Sequence, residues 1–159
     1  MTGFVEPLRI HGRFVVRKFW AGDDLARATP YEVLEGDNLV LDSGATALWQ
    51  RFAGAGAVTA FDAANARLCV GNGTTPVAAG QTGLQGASQF RKAITAAPTI
   101  SSRSWTATAQ FLEAEANFAW AEVGLANAAS GGVMFDRALQ DFGVKTNSVA
   151  WTLSCVLTA

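Results

Sequence analysis

Two stretches of the chain alternate strictly between apolar and polar residues. One is SWTATAQF and the other is SVAWTLSCVLT, close to the last residue. Because successive side chains of a β-strand point to opposite faces, a period of two predicts strands with one buried face. Several shorter runs rich in β-branched and aromatic residues are separated by turn sequences such as ASGG. Together they predict a mainly β chain that folds as a β-sandwich or jelly-roll-like domain.

One segment has the spacing of a helix instead. DSGATALWQRFAG is predicted to form a short amphipathic helix that covers one side of a sheet. Asp42 or Ser43 is expected to accept the first free amide protons as the N-cap. Gly54 is expected to take the left-handed conformation that ends a helix. The residues predicted to share its buried face are Ala45, Leu48, Trp49 and Phe52.

The N-terminal part of the chain resembles an extended arm. LRIHGRFVVRKFW interleaves basic and apolar residues, and we expect it to lie on a neighbouring subunit. This divides the chain into residues 1–37, an N-terminal arm with edge strands, and residues 38–159, the sandwich-like domain. Deletion of residues 2–20 is then expected to leave a folded domain. The predicted subunit contacts are Phe4, Leu8, Phe14, Val16, Phe19 and Trp20.

Charge excludes some partners and favours others. Only 16% of the 159 residues are charged, against about a quarter in typical domains. A surface this poor in charge predicts contact with other protein, and we expect a homo-oligomer, specifically a trimer. The net charge of -1 indicates no nucleic-acid or membrane partner. No apolar run reaches the ~20 residues of a membrane span, and no signal peptide is recognised, so a cytoplasm is the expected place of synthesis.

Few residues suggest a catalytic, cofactor or metal site. GNGTTP follows a predicted strand but lacks the lysine of a phosphate-binding loop. His11 has no second histidine or acidic cluster near it in the sequence. Asp23 and Asp24 lack the alternating oxygen ligands of a calcium loop. Cys69 and Cys155 lie inside strand-like runs and are predicted to be buried free thiols. We therefore predict no catalytic residue, no cofactor and no metal.

Three glutamates allow a sharper alternative. Glu113, Glu115 and Glu122 could supply the carboxylate pair of a glycoside hydrolase. However, Glu115 and Glu122 are an odd number of residues apart, so in a strand they point to opposite faces. A glutamate beside apolar Trp120 needs a partner that offsets its desolvation. Arg137 is predicted to form that ion pair, either buried or between subunits.

Five tryptophans are many for this length. Trp20, Trp49, Trp105, Trp120 and Trp151 could form a platform for a sugar. Most of them fall where the alternation already requires a core residue. The pattern therefore favours the core or a subunit interface.

Four motifs occur in an order that is similar to a known family. They are NLVLDSGATALWQRFAG, ANARLCVGNGTTPVAAGQTGLQG, EANFAWAEVGLANAASGGVMFDRA and GVKTNSVAWTLSCVLT. The chain resembles small structural proteins of tailed bacteriophage virions over Leu39 to Thr158, about three-quarters of its length. The resemblance implies a virion component without enzymatic activity. The positions it would assign to folding and assembly are Asn38, Gly71, Gly73, Glu115, Asn117, Trp120, Glu122, Gly124, Gly132 and Lys145.

These expectations lead to one leading hypothesis. The chain is expected to be a capsid cement or decoration protein that bridges capsomers, with the major capsid protein or other virion proteins as partners. It would reside in the virion after assembly in the host cytoplasm. A tail, collar or fibre component and a host-glycan-binding module remain alternatives, and an enzyme ranks last.

Overall fold

The computed structural model describes residues 9–159, so Phe4 and Leu8 lie outside the described residues. The described part of the chain forms strands and a helix. The strands are β1 (His11–Trp20), β2 (Glu32–Asp37), β3 (Leu39–Val40), β4 (Arg67–Gly71), β5 (Gln89–Ala93), β6 (Thr99–Ser101), β7 (Ser104–Phe111), β8 (Ala119–Ala126), β9 (Met134–Val144) and β10 (Val149–Thr158). The helix α1 (Asp42–Ala53) lies between β3 and β4.

The strands form two five-stranded antiparallel sheets. Sheet A has the order β2-β1-β10-β7-β6, and sheet B has the order β3-β9-β8-β4-β5. The longest pairing in sheet A joins β1 to β10, from His11 opposite Thr158 to Trp20 opposite Val149. The predicted fold class, a mainly β sandwich with one short helix, is confirmed.

The core lies between the two sheets and is rich in aromatic residues. Trp120 of sheet B contacts Phe111 and Trp151 of sheet A with ring centroids 4.8 Å and 4.9 Å apart, both edge to face. In β7 the buried positions are Ala107, Ala109 and Phe111, alternating with partly exposed polar residues, as the sequence predicts. Burial of each large side chain contributes roughly 1.5–3 kcal/mol to folding.

Strand β1 is part of this core and is not an arm. It is hydrogen-bonded to β2 on one side and to β10 on the other. Phe14 and Val16 are fully buried in the inter-sheet core, and Phe19 is also buried. Their prediction as subunit contacts is wrong, because all three side chains are already buried within the chain. Phe14 and Val16 point toward sheet B, whereas Phe19 is buried on the opposite face of β1. Deletion of residues 2–20 would remove a strand that is paired on both sides, so on this structure we expect the truncated chain not to fold.

Trp20 differs from the other predicted contacts in β1. It lies at the end of the strand and is 58% exposed. A role for Trp20 in subunit contact stays a prediction. Strand β2 is an edge strand, as expected for the region before residue 38.

The helix occurs where it is predicted, but it presents a different face to the sheet. Its N-cap is Leu41 and not Asp42 or Ser43, and the hydroxyl of Ser43 donates instead to the carbonyl oxygen of Met134 at 2.8 Å. Gly54 is left-handed, with φ of 62°, as predicted.

The helix buries small residues and exposes large ones. Gly44 and Ala47 are buried and Leu48 is partly buried against the core, whereas Trp49 and Phe52 are exposed, so the predicted buried face is wrong for Trp49 and Phe52. A Cβ atom at Gly44 would overlap the backbone of Phe135 in β9. Because the helix lies this close to β9, only small side chains fit between them.

Candidate functional site

The buried ion pair predicted from the sequence is present on the outer face of sheet B. Nε of Arg137 in β9 donates to Oε2 of Glu122 in β8 at 2.7 Å, and both side chains are fully buried. The pair lies within one chain. Such a pair has to be enclosed by other groups, because two buried charges need further hydrogen bonds to offset their desolvation.

The connection between β4 and β5 encloses this pair. Oxygens of Glu122 accept hydrogen bonds from the backbone amides of Gly73 at 3.1 Å, Gln85 at 2.9 Å and Gly86 at 2.7 Å. The guanidinium of Arg137 donates to the carbonyl oxygen of Thr75 at 2.9 Å and to Oε1 of Gln81 at 3.0 Å. Residues 72–88 are therefore fastened to sheet B by one carboxylate and one guanidinium.

This arrangement explains why GNGTTP contains two glycines. A Cβ atom at Gly71 or Gly73 would lie 2.5 Å from Oε1 of Glu122. Only a residue without a side chain allows the backbone to approach the carboxylate so closely. The motif binds an anion, but the anion is the protein's own Glu122.

The three glutamates considered for hydrolysis have separate environments. Glu113 is partly exposed and accepts a hydrogen bond from the amide of Gly22 at 3.0 Å. Glu115 is bonded to Lys92 at 2.5 Å. Glu122 lies beneath residues 72–88 with both oxygens hydrogen-bonded, so its carboxylate has no open side for a substrate.

A second polar cluster supports the loop between β7 and β8. Nζ of Lys145 donates to the carbonyl oxygen of Leu112 at 2.7 Å and to Oδ1 of Asn117 at 3.1 Å. Burial lowers the pKa of Lys145, and the nearby charges of Glu113 and Glu115 partly oppose this effect. Nε1 of Trp120 donates to the carbonyl oxygen of Ala116 at 3.0 Å. Most of the positions singled out by the resemblance therefore make bonds that hold the fold.

A buried aspartate was missed by the sequence interpretation. Asp136 in β9 is fully buried, accepts from the amide of Leu125 at 3.0 Å and from Nδ2 of Asn38, and lies 3.9 Å from Sγ of Cys155. Burial raises the pKa of Asp136 to about 7, against the opposing effect of these hydrogen bonds. The available signal was an aspartate inside the apolar run VMFDRAL.

The two cysteines are buried and unpaired, as predicted. Burial raises the pKa of Cys69 to about 12, and it raises the pKa of Cys155 well above its usual value. Both sulfurs are therefore protonated thiols at neutral pH, a state that is unreactive as a nucleophile.

Exposed aromatic residues occur as two pairs. Trp20 stacks on Tyr31 with centroids 4.4 Å apart at the end of the sandwich where β1 finishes. Trp49 and Phe52 lie on α1 with centroids 6.3 Å apart. Trp49 is 59% exposed and Phe52 is 84% exposed. We call these the Trp20–Tyr31 pair and the Trp49–Phe52 pair.

An apolar cavity of about 350 Å³ opens at the opposite end of the sandwich, where β1 begins and β10 finishes. We call this the cavity end. Leu48 of α1 lines the cavity, so the Trp49–Phe52 pair lies next to it along the same helix. Other lining residues are Ile10, Phe61, Ile100, Trp105 and Leu157. Ile100 in the edge strand β6 is 77% exposed.

Residues 9–159 contain no cluster of three or more His, Cys, Asp or Glu side chains that could hold a metal ion. Within the same residues, no helix has the length and apolar character needed to cross a bilayer.

Comparisons with models of known families, with characterised proteins and with solved structures gave no match to this chain. The resemblance to phage virion proteins therefore stays a prediction from the sequence motifs.

Proposed function

We propose that this chain is a structural protein of a tailed-phage virion, and specifically a capsid cement or decoration protein that bridges capsomers. The observation that carries the proposal is the presence of two exposed aromatic pairs at opposite ends of one sandwich. Grouped exposed aromatic side chains are typical of protein contacts, where tryptophan and tyrosine are the usual energetic centres. A protein that joins two neighbours needs one such surface at each end.

The polar groups support the same proposal. The fully buried ion pair, Glu122 and Arg137, is used within the fold. The low fraction of charged residues, 16%, leaves a surface suited to contact with other protein. Bridging by two weak contacts gives an overall affinity far above either contact alone, because the second contact forms within the same complex.

The test uses purified virions of the phage that encodes the chain. Gold-labelled antibody should mark the head, and heads that carry the protein should release DNA at a higher temperature than heads without it. Label confined to the tail would replace cement with a tail, collar or fibre role. Absence of the chain from virions would overturn the virion proposal.

Variants identify the surfaces involved. Trp49→Ser/Phe52→Ser and Trp20→Ser/Tyr31→Ser should each lower binding to stripped heads at least about tenfold in co-sedimentation. Val144→Ser is the matched control, since Val144 is exposed but belongs to neither pair. Equal binding by all three variants would show that the aromatic pairs are not the contacts.

The Trp20–Tyr31 pair also favours a second candidate, a host-glycan-binding module. Stacked exposed aromatic rings form a platform that suits the apolar face of a sugar. Tryptophan fluorescence that changes with a host glycan, and does not change in Trp20→Ser, would support this role. Fluorescence that stays constant across the host's glycans would exclude it.

A further inference from the structure

The apolar cavity is large enough to take side chains from outside the described domain. An apolar cavity of about 150 Å³ is sufficient to bind benzene, and this one measures about 350 Å³. It is lined mostly by aliphatic and aromatic side chains and it opens to the surface beside Ile100. A phenyl ring together with a second aliphatic side chain matches this space.

The chain contains a short apolar segment that begins at the same place. Residues 1–8 read MTGFVEPL, with Met1, Phe4, Val5 and Leu8 as apolar side chains. Ile10, two residues beyond this segment, lines the cavity. The segment therefore joins the domain at the cavity end.

We propose that the cavity of one copy of the chain binds residues 1–8 of a second copy, with Phe4 and Leu8 as the inserted side chains. This inference deepens the proposed function, because it supplies the contact by which a self-associating shell protein would join its copies. The partner is another molecule of the same chain.

The strand order favours insertion of the segment into the cavity of a second copy over insertion into the cavity of its own chain. At its start, β1 is bonded to β10, with His11 opposite Thr158, and β2 joins its other side from Arg13 onward. Within the described residues the available edge beside the cavity belongs to β6, which lies beyond β10 and β7. Three strand spacings separate β6 from β1, about 14 Å. A chain's own segment would have to reverse at Arg9 and cross two strand ends to reach that edge.

A segment from a second copy would not need this reversal to meet the same edge. β6 ends sheet A in the described part of the chain, and all three of its residues are exposed. An extended segment can add to such an edge as a further strand, with its alternate side chains in the adjoining pocket. Phe4 and Leu8 are separated by an even number of residues, so an extended segment directs both to one side.

The position of donor and acceptor also permits closed assembly. Because the segment and the cavity occupy the same end of the domain, copies arranged around an axis at that end can each give a segment and receive one. Closed cyclic symmetry is the usual state of homo-oligomers.

The test is the mass of the full chain and its variants in solution, measured by light scattering over a range of concentrations. Wild type should have a multiple of the single-chain mass. Phe4→Ser/Leu8→Ser, which removes the donor, and Ile100→Glu, which blocks the acceptor, should each have the mass of one chain. Val144→Glu, which changes an exposed apolar residue away from the cavity, should behave as wild type.

Mixing the two defective variants shows whether they fail to associate because one contact is missing or because they are unstable. The donor-deficient chain keeps its cavity and the acceptor-deficient chain keeps its segment, so the mixture should form a complex of two chains. A wild type that is always a single chain would overturn the inference, as would an oligomer unchanged by Phe4→Ser/Leu8→Ser or a mixture that stays unassociated. Co-sedimentation with heads is a separate measurement, so retained head binding with any of these results would leave the proposed function intact.

Discussion

Replacement of Asp136 by asparagine should change how the stability of this protein depends on pH. The carboxyl group is fully buried, and its pKa is raised from 3.8 to about 7 by burial. Between these two values the unfolded chain loses the proton while the folded chain keeps it. The folded state then binds more protons than the unfolded state, so stability falls as pH rises through this window.

The size of the effect follows from the shift. About 3 pKa units at 1.36 kcal/mol each correspond to roughly 4 kcal/mol of unfolding free energy. This stability is fully present below about pH 4 and is lost by about pH 7. Asp136→Asn has no proton to lose, so the variant should gain on wild type by up to about 4 kcal/mol across the window and no further above it.

The surroundings of Asp136 can accept an amide. The oxygen that accepts from the amide of Leu125 is retained in Asp136→Asn. Oδ1 of Asn38 is buried and has no hydrogen-bond partner within the described residues. A half-turn of the Asn38 amide would present this oxygen to the new NH₂ group, so the hydrogen bond between the two side chains would be kept.

Urea unfolding at a series of pH values measures this difference. Asp141→Asn, which removes an exposed carboxylate from the same strand, provides the baseline. A difference between wild type and Asp136→Asn that stays constant from pH 4 to pH 8 would refute the reasoning. A difference of opposite sign would show that the buried carboxylate is charged and strongly stabilised in the fold.

Other substitutions test the core and the Glu122–Arg137 pair that holds residues 72–88 on sheet B. Arg137→Met should lower the unfolding free energy by about 3–5 kcal/mol because it leaves the buried Glu122 without its cation. The double variant Glu122→Gln/Arg137→Met should recover part of this loss when its unfolding free energy is measured in urea. Gly73→Ala should cost about 1–3 kcal/mol, since its Cβ would lie against the carboxylate, whereas Gly80→Ala, with open space around it, should change the melting temperature little. Phe14→Ala should cost about 3–5 kcal/mol in urea if β1 belongs to the core; an unchanged midpoint would restore the arm interpretation.

The polar clusters show why a motif alone misleads about chemistry. GNGTTP has the glycines of an anion-binding loop, and the structure supplies the anion from β8, about fifty residues later in the chain. The carboxylate of Glu122 accepts hydrogen bonds from three backbone amides and a guanidinium. It thereby holds the connection between β4 and β5 in place without a bound ligand. The spacing of residues in GNGTTP carries no information about that distant partner.

Features that depend on residues close together in the chain were predictable from sequence patterns. Alternation predicted β7 and β10, helical spacing predicted α1, and Gly54 was recognised as its left-handed end. The Glu122–Arg137 pair was also predictable, because a strand, a short turn and a returning strand place the two side chains on one face.

Where each apolar face is buried depends instead on contacts between distant parts of the chain. The pattern of β1 is the same whether Phe14 packs on a neighbouring subunit or on sheet B, and pairing with β10, more than a hundred residues away, selects the second. Likewise, the close approach of Gly44 to β9 turned Trp49 and Phe52 outward although their spacing is that of a buried stripe. Periodicity specifies which side chains share a face, whereas contacts between distant parts of the chain specify what that face meets.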